Sequence, residues 1–180
     1  MHDDRAAPAW RRLLAFGVDY LVIAAYGGLL AGVGFGARRL LGRGFAMPAT
    51  PRARLVGHAV AFAALTVPVV LYFAWWEASA GGGTPGKRAL GLRVVAEAGG
   101  RVPLGRALAR AAVKFAPWEL AHTALWDTPG WPVDPRPTGR DWAGYGLSLA
   151  LSGWYVVALF VGSRRTPYDR VSGTRVVRDP

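Results

Sequence analysis

The 180-residue sequence contains no cysteine, only two lysines, three histidines and eleven acidic residues. The missing cysteine excludes a disulfide framework, a zinc-thiolate site and a thiol nucleophile. Three dispersed histidines (positions 2, 58 and 122) make no ligand cluster, and neither H-E-x-x-H nor G-x-S-x-G occurs. The shortage of acids against 22 Lys+Arg leaves a net charge of +11. Such a balance first suggests phosphate neutralisation on nucleic acid. The eight tryptophans, 24 glycines and 52% hydrophobic content do not describe a nucleic-acid module, and they exclude disorder.

What is present is long stretches without charge. Leu13–Gly36 carries a single charge, Asp19; Leu55–Trp76 and Trp142–Gly162 carry none. Each is long enough to cross a hydrocarbon core of about 30 Å as a helix. They are apolar all round, unlike the one-sided stripe of a soluble helix. Tryptophans sit at their ends: Trp10, Trp75 with Trp76, and Trp142. The first run is too long for a signal peptide, contains Asp19 and lacks a convincing cleavage site, so it is expected to be retained.

A fourth, more polar segment covers 104–126. Arg106, Arg110 and Lys114 fall at i, i+4, i+8 and form one basic ridge on a helix, with Pro117 predicting a kink. Two readings stand: an amphipathic helix lying on anionic headgroups with the ridge facing lipid, or a polar span buried in the bundle. With three crossings the basic residues divide 12 against 10; with four they divide 13 against 7. The positive-inside rule favours four, with both termini cytoplasmic. The loop carrying Arg38, Arg39, Arg43, Arg52 and Arg54 argues the other way.

Within the first run, Asp19 costs about 2.5–3.5 kcal/mol on insertion scales unless it faces protein or water. Arg12 lies seven residues before it and Tyr26 seven after, on nearly the same face. Asp19 thus reads either as a carrier of a proton or cation or as a structural ion-pair partner. On another face Ala24, Gly28, Gly32 and Gly36 form a small-residue ridge predicting close helix packing, within the bundle or in a homo-oligomer. Gly144, Ser148 and Ser152 form a second ridge. Pro68 predicts a bend that frees the carbonyl of Ala64.

Gly81–Arg88 fits G-x-x-x-x-G-K, but Arg88 replaces the Mg²⁺-holding hydroxyl and the preceding element is a membrane run, so nucleotide binding is rejected. Leu92–Val95, Ala98-Gly99-Gly100 and Arg101-Val102 predict a short surface hairpin. Glu119-x-x-His122 is half of a carboxylate–histidine metal pair with no second half. No cofactor, metal, nucleic-acid partner or enzymatic activity is expected.

Three blocks together resemble the RDD family of bacterial integral membrane proteins: Arg12-x6-Asp19; Glu77 with Thr84-Pro85-Gly86-Lys87-x3-Gly91-x-Arg93-Val94-Val95; and Asp169-Arg170-x2-Gly173-Thr174-x-Val176-Val177. The family's one Arg and two Asp map onto Arg12, Asp19 and Asp169. Arg110-x3-Lys114-Phe115-x-Pro117-Trp118-Glu119 is similar to a segment of one branch. Tyr168 departs from a frequent His, and 126–140 looks like an insertion. The resemblance implies one all-α membrane domain over 1–180, with spans near 13–36, 55–76, 104–126 and 142–162. It also implies a location in the bacterial inner membrane. The family is broadly unassigned, with transport suggested for some members, and the alternative is a scaffold or regulator.

If Arg12, Asp19, Glu77, Lys87 and Asp169 form one charged cluster, the chain must cross an even number of times. The cluster is then expected at the inner leaflet, near anionic lipids.

Overall fold

In the computed structural model the described residues are 6–42, 50–131 and 134–179. Arg43 and His2 therefore lie outside the described residues. The chain is mostly helical, and two of its helices are long and apolar enough to span a membrane.

The first helix, α1, runs Ala9–Leu40; its 32 residues extend about 48 Å at 1.5 Å per residue. The second apolar run is one rod in three parts: α2 (Pro51–Ala61), a π turn (Phe62–Thr66) and α3 (Val67–Ala78). Thr50 caps its start by accepting from the Ala53 amide. Pro68 lacks an N–H, and the carbonyl four residues back, Ala64, accepts instead from Tyr26 Oη at 2.6 Å. The bend expected from Pro68 thus appears as a π turn that α1 pins in place.

Helix α5 (Leu104–Asp127) packs broadly on α3 and on α6 (Gly139–Val157). Pro117 repeats the pattern of Pro68. The freed Val113 carbonyl accepts from Tyr155 Oη at 2.9 Å, and the Pro117 carbonyl accepts from Ser148 Oγ at 2.6 Å. Two α6 side chains therefore satisfy the backbone that proline disturbs. The second small-residue ridge is used here: Gly144 brings α6 close to Ala124 of α5.

A cap closes one end of the bundle. It holds α4 (Pro85–Ala89), β1 (Leu92–Ala96), α7 (Pro167–Val171) and β2 (Thr174–Arg178). The expected hairpin is corrected here: β1 pairs antiparallel with β2, Val94 opposite Val176, and not with Arg101-Val102. Thr174–Arg178 offers a longer β-branched partner, while Pro103 directs the chain into α5. Ala6 bridges Val177, so the segment preceding α1 meets β2 at this cap. At the opposite end Arg54 donates to the Asp127 carbonyl and Arg140 pairs with Asp127.

Burial is inverted relative to a water-soluble protein. Leu21, Leu29, Leu55 and Leu149 are 64–73% exposed, whereas Asp19, Glu77 and Asp169 are fully buried. Such continuous apolar exposure marks contact with hydrocarbon or another protein.

Among the described residues the expected packing of Gly28, Gly32 and Gly36 is not made: a Cβ at any of the three would meet none of them within 4 Å. The opposite face of α1, which carries Arg12, Asp19 and Tyr26, supplies its contacts. Replacing Gly144 with Leu is therefore expected to lower stability by about 1–3 kcal/mol through overpacking. Gly32→Leu should leave the thermal midpoint unchanged, and detergent-solution melting of both variants checks the contrast.

Candidate functional site: a buried charge cluster

The sharp exit from α3 builds the first half of the site. Gly82 adopts a positive φ of 62°, and its carbonyl accepts from the Val94 amide. Thr84 then caps α4, with Pro85 preset at the first helical position. Thr84 Oγ1 donates to Asp19 Oδ2 at 2.5 Å, and the Gly86 amide donates to Asp19 Oδ1 at 2.9 Å. Tyr72 Oη adds a third donor at 3.3 Å. A Cβ on residue 86 would collide with the Ala15 carbonyl and the Asp19 carboxylate. The Thr84-Pro85-Gly86 loop is thereby a receptor for a carboxylate of α1, and glycine is required because α1 lies against it. The Gly86 amide, which a phosphate loop would turn towards its ligand, is occupied by Asp19.

Lys87, from the same loop, turns inward and donates to Glu77 Oε1 at 2.8 Å. Arg110 grips both Glu77 oxygens through Nη1 at 2.8 and 2.7 Å. Its Nη2 donates to Asp169 Oδ1 at 2.7 Å, and its Nε donates to Thr174 Oγ1 at 3.2 Å. The guanidinium also lies over the Tyr168 ring, 5.0 Å from the centroid. One planar cation therefore ties α3, α7 and β2 to α5.

Asp169 caps its own helix. Its Oδ2 accepts from the Thr166 amide and hydroxyl, a capping box at α7. The same oxygen takes Arg12 Nη2 at 2.6 Å, while Arg12 Nη1 reaches the Arg164 carbonyl. Burial alone would raise the Asp169 pKa. The charges of Arg110 and then Arg12, with hydrogen bonds from Arg12 and Thr166, outweigh it and hold the carboxyl well below the usual range.

Arg12, Glu77, Lys87 and Asp169 are thus one connected network, and Asp19 joins it through Thr84, whose Oγ1 also accepts from Lys87 Nζ at 3.4 Å. Arg12 pairs with Asp169 of α7, while Thr84 and Gly86 take Asp19, so each finds its partner on another element. One expectation is corrected: the proposed lipid-facing ridge divides, with Arg106 exposed, Arg110 2% exposed, and Lys114 half-buried among aromatic rings. Carboxylates from two other elements draw Arg110 inward. Glu119 does not join His122; it meets His58 Nε2 at 2.8 Å and accepts from Thr66 Oγ1, while His122 stands edge-on to Trp118. Among the described residues no group of His, Asp and Glu side chains is placed to hold a metal.

Arg110 is the residue that helical spacing misassigned. Charge counting carried the missing signal. Asp19, Glu77 and Asp169 against Arg12 and Lys87 leave one negative charge, which a low-dielectric site must neutralise.

Removing Arg110 as Arg110→Gln strands two buried carboxylates, with an expected loss of about 3–5 kcal/mol. Arg106→Gln should change little, and thermal unfolding of the two variants reads the difference. The depressed folded pKa of Asp169 also sets a sign for pH. Its contribution is complete above the unfolded carboxyl value near 3.9 and is lost as pH falls through the lower folded value. Stability should thus fall with acidification below about pH 4, and Asp169→Asn should flatten that part of the curve.

A family model described as RDD family matches residues 6–173, nearly the whole chain. No curated protein and no solved structure matches it.

Proposed function

The chain belongs to the RDD family, and we propose that it is a non-enzymatic, four-crossing protein of the bacterial inner membrane. In this reading the charge cluster clamps a cytoplasmic cap to the bundle, and the protein serves as a scaffold or regulator that presents that cap. The observation that carries the reading is the saturation of the acids: Asp19, Glu77 and Asp169 are fully buried, and donors on the chain occupy them. A carrier carboxylate has to exchange its partner, whereas each of these is held by groups from at least two elements.

The four crossings are supported by the geometry of the ends. Arg12, Glu77, Lys87, Arg110 and Asp169 gather beside the cap, while Arg54, Asp127 and Arg140 meet at the far end. Arg88, Arg106, Arg164, Arg170 and Arg178 are exposed around the cap. That basic surface supports a cytoplasmic orientation and contact with anionic lipid headgroups. Cation carriage at Asp19 has less support. Its oxygens already accept from a hydroxyl, an amide and a phenol, so a cation would have to displace these donors to reach them.

Reconstituted vesicles test the reading. No proton- or sodium-coupled flux above that of empty vesicles is expected, and Asp19→Asn should lower thermal stability by about 1–3 kcal/mol. Coupled flux that Asp19→Asn abolishes at unchanged stability overturns the scaffold reading in favour of transport. Topology is checked separately in this cysteine-free chain. Single cysteines at positions 88 and 170 should label from one side of the membrane and one at position 136 from the other.

A further inference from the structure

The acids and bases of the cluster do not balance. Asp19, Glu77 and Asp169 oppose Arg12, Lys87, Arg110 and Lys114, so three negative charges meet four positive ones. The odd cation is Lys114. Its Nζ lies 3.7 Å from the Phe73 ring centroid, 4.4 Å from that of Phe16 and 5.4 Å from that of Phe115. Among the described residues no carboxylate is paired with it and no oxygen accepts from it, in contrast to Arg12, Lys87 and Arg110. Aromatic faces steady an ammonium but do not neutralise it.

Lys114 borders a cavity of about 340 Å³ between α1, the π turn, α5 and α6. The cavity is polarised along its length. Arg12, Lys87, Arg110 and Lys114 line the end near the cap. From there it follows α1 as far as Ile23 and α5 as far as Ala121, about 16 Å along each helix at 1.5 Å per residue. Away from the cations its walls are mainly apolar, among them Ile23, Leu65, Val69 and Ala121, and the hydroxyls of Thr66 and Ser148 there are already engaged by Glu119 and the Pro117 carbonyl. At the rim Leu13, Phe16, Trp118 and Val156 line the cavity and are also exposed on the outer surface. There α1 leaves room, because it packs mainly on α4 while α5 packs on α3 and α6.

We propose that this cavity binds a single-chain anionic amphiphile drawn from the bilayer, with its carboxylate on Lys114 and its acyl chain along the apolar wall. The surplus positive charge selects an anion, and the polarity gradient selects an amphiphile over a small soluble ion. The volume lies at the low end for ligand sites, which suits one chain rather than two. The lateral rim gives entry from the hydrocarbon. The site rests on the membrane-embedded reading above, whose failure would show in the sidedness of cysteine labelling rather than in ligand capture.

A photoreactive palmitate carrying a diazirine in its chain tests the site, using the full chain reconstituted in phosphatidylcholine vesicles. Adducts are expected on the α1 and α6 segments that line the cavity. Palmitate should compete; hexadecanol and inorganic phosphate should not. Lys114→Met should reduce capture about tenfold, the equivalent of one charge-assisted hydrogen bond, and Lys114→Arg should retain most of it. Ser152→Phe fills the cavity from its exposed wall, leaves Lys114 in place and should also block capture. Undiminished capture in Ser152→Phe, or adducts spread evenly over the outer surface, overturns the site. Equal competition by hexadecanol removes the role of the charge. Competition by inorganic phosphate makes the ligand a soluble anion and overturns the amphiphile, as does preferential capture of a two-chain anionic phospholipid.

Discussion

The guanidinium of Arg110 is the interaction on which the rest of the structure depends. It sits between Glu77 and Asp169 with almost no access to solvent, and both carboxylates are fully buried. In a low-dielectric interior, charge separation is expensive and a paired geometry with satisfied hydrogen bonds is the condition for keeping ions there at all. Through this one residue the sharp turn after α3, the capping box of α7 and the first residue of β2 become parts of a single object. Lys87 and Arg12 neutralise the outer oxygens of the same two acids, so the cluster is satisfied from both sides.

Inverted burial follows from the same physics. The helices present leucine, valine and phenylalanine outward and hold Asp19, Glu77 and Arg110 within. Such a chain gains little from hydrophobic collapse between helices once hydrocarbon surrounds it. Specific contacts then have to hold the bundle. The two prolines illustrate the point. Each breaks a helix hydrogen bond, and each freed carbonyl is claimed by a tyrosine from a neighbouring helix: Tyr26 on Ala64 and Tyr155 on Val113. The disturbance becomes the attachment.

Much of this was legible in the residues. Long uncharged runs give the helices, Pro68 predicts the freed Ala64 carbonyl, and the seven-residue spacing of Arg12, Asp19 and Tyr26 gives the face on which α1 packs. The requirement that Asp169 lie on the same side as Glu77 also follows from treating the motifs as one site. Other features were not legible, for two physical reasons. Strand pairing between 92–96 and 174–178 is non-local, and a nearby Gly-Gly turn offered a plausible local partner. The inward turn of Arg110 depends on carboxylates 33 and 59 residues away in sequence, which helical periodicity does not see. The small-residue ridge at Gly28, Gly32 and Gly36 reads as a packing surface by composition, yet no described residue lies against it.

The cap is assembled from segments that lie on both sides of α5 and α6 in the chain, and this has a consequence for biosynthesis. Residues 77–96 precede α5 and α6 in the chain, whereas Asp169 and β2 follow them and join the cap only after both helices are made. Until then Arg110 has Glu77 as a counter-ion but lacks Asp169, and the apolar edge of β1 is uncovered. The Arg110–Asp169 pair and the β1–β2 pairing are therefore closing contacts, which join the two ends of the cap only when the helices between them are in place.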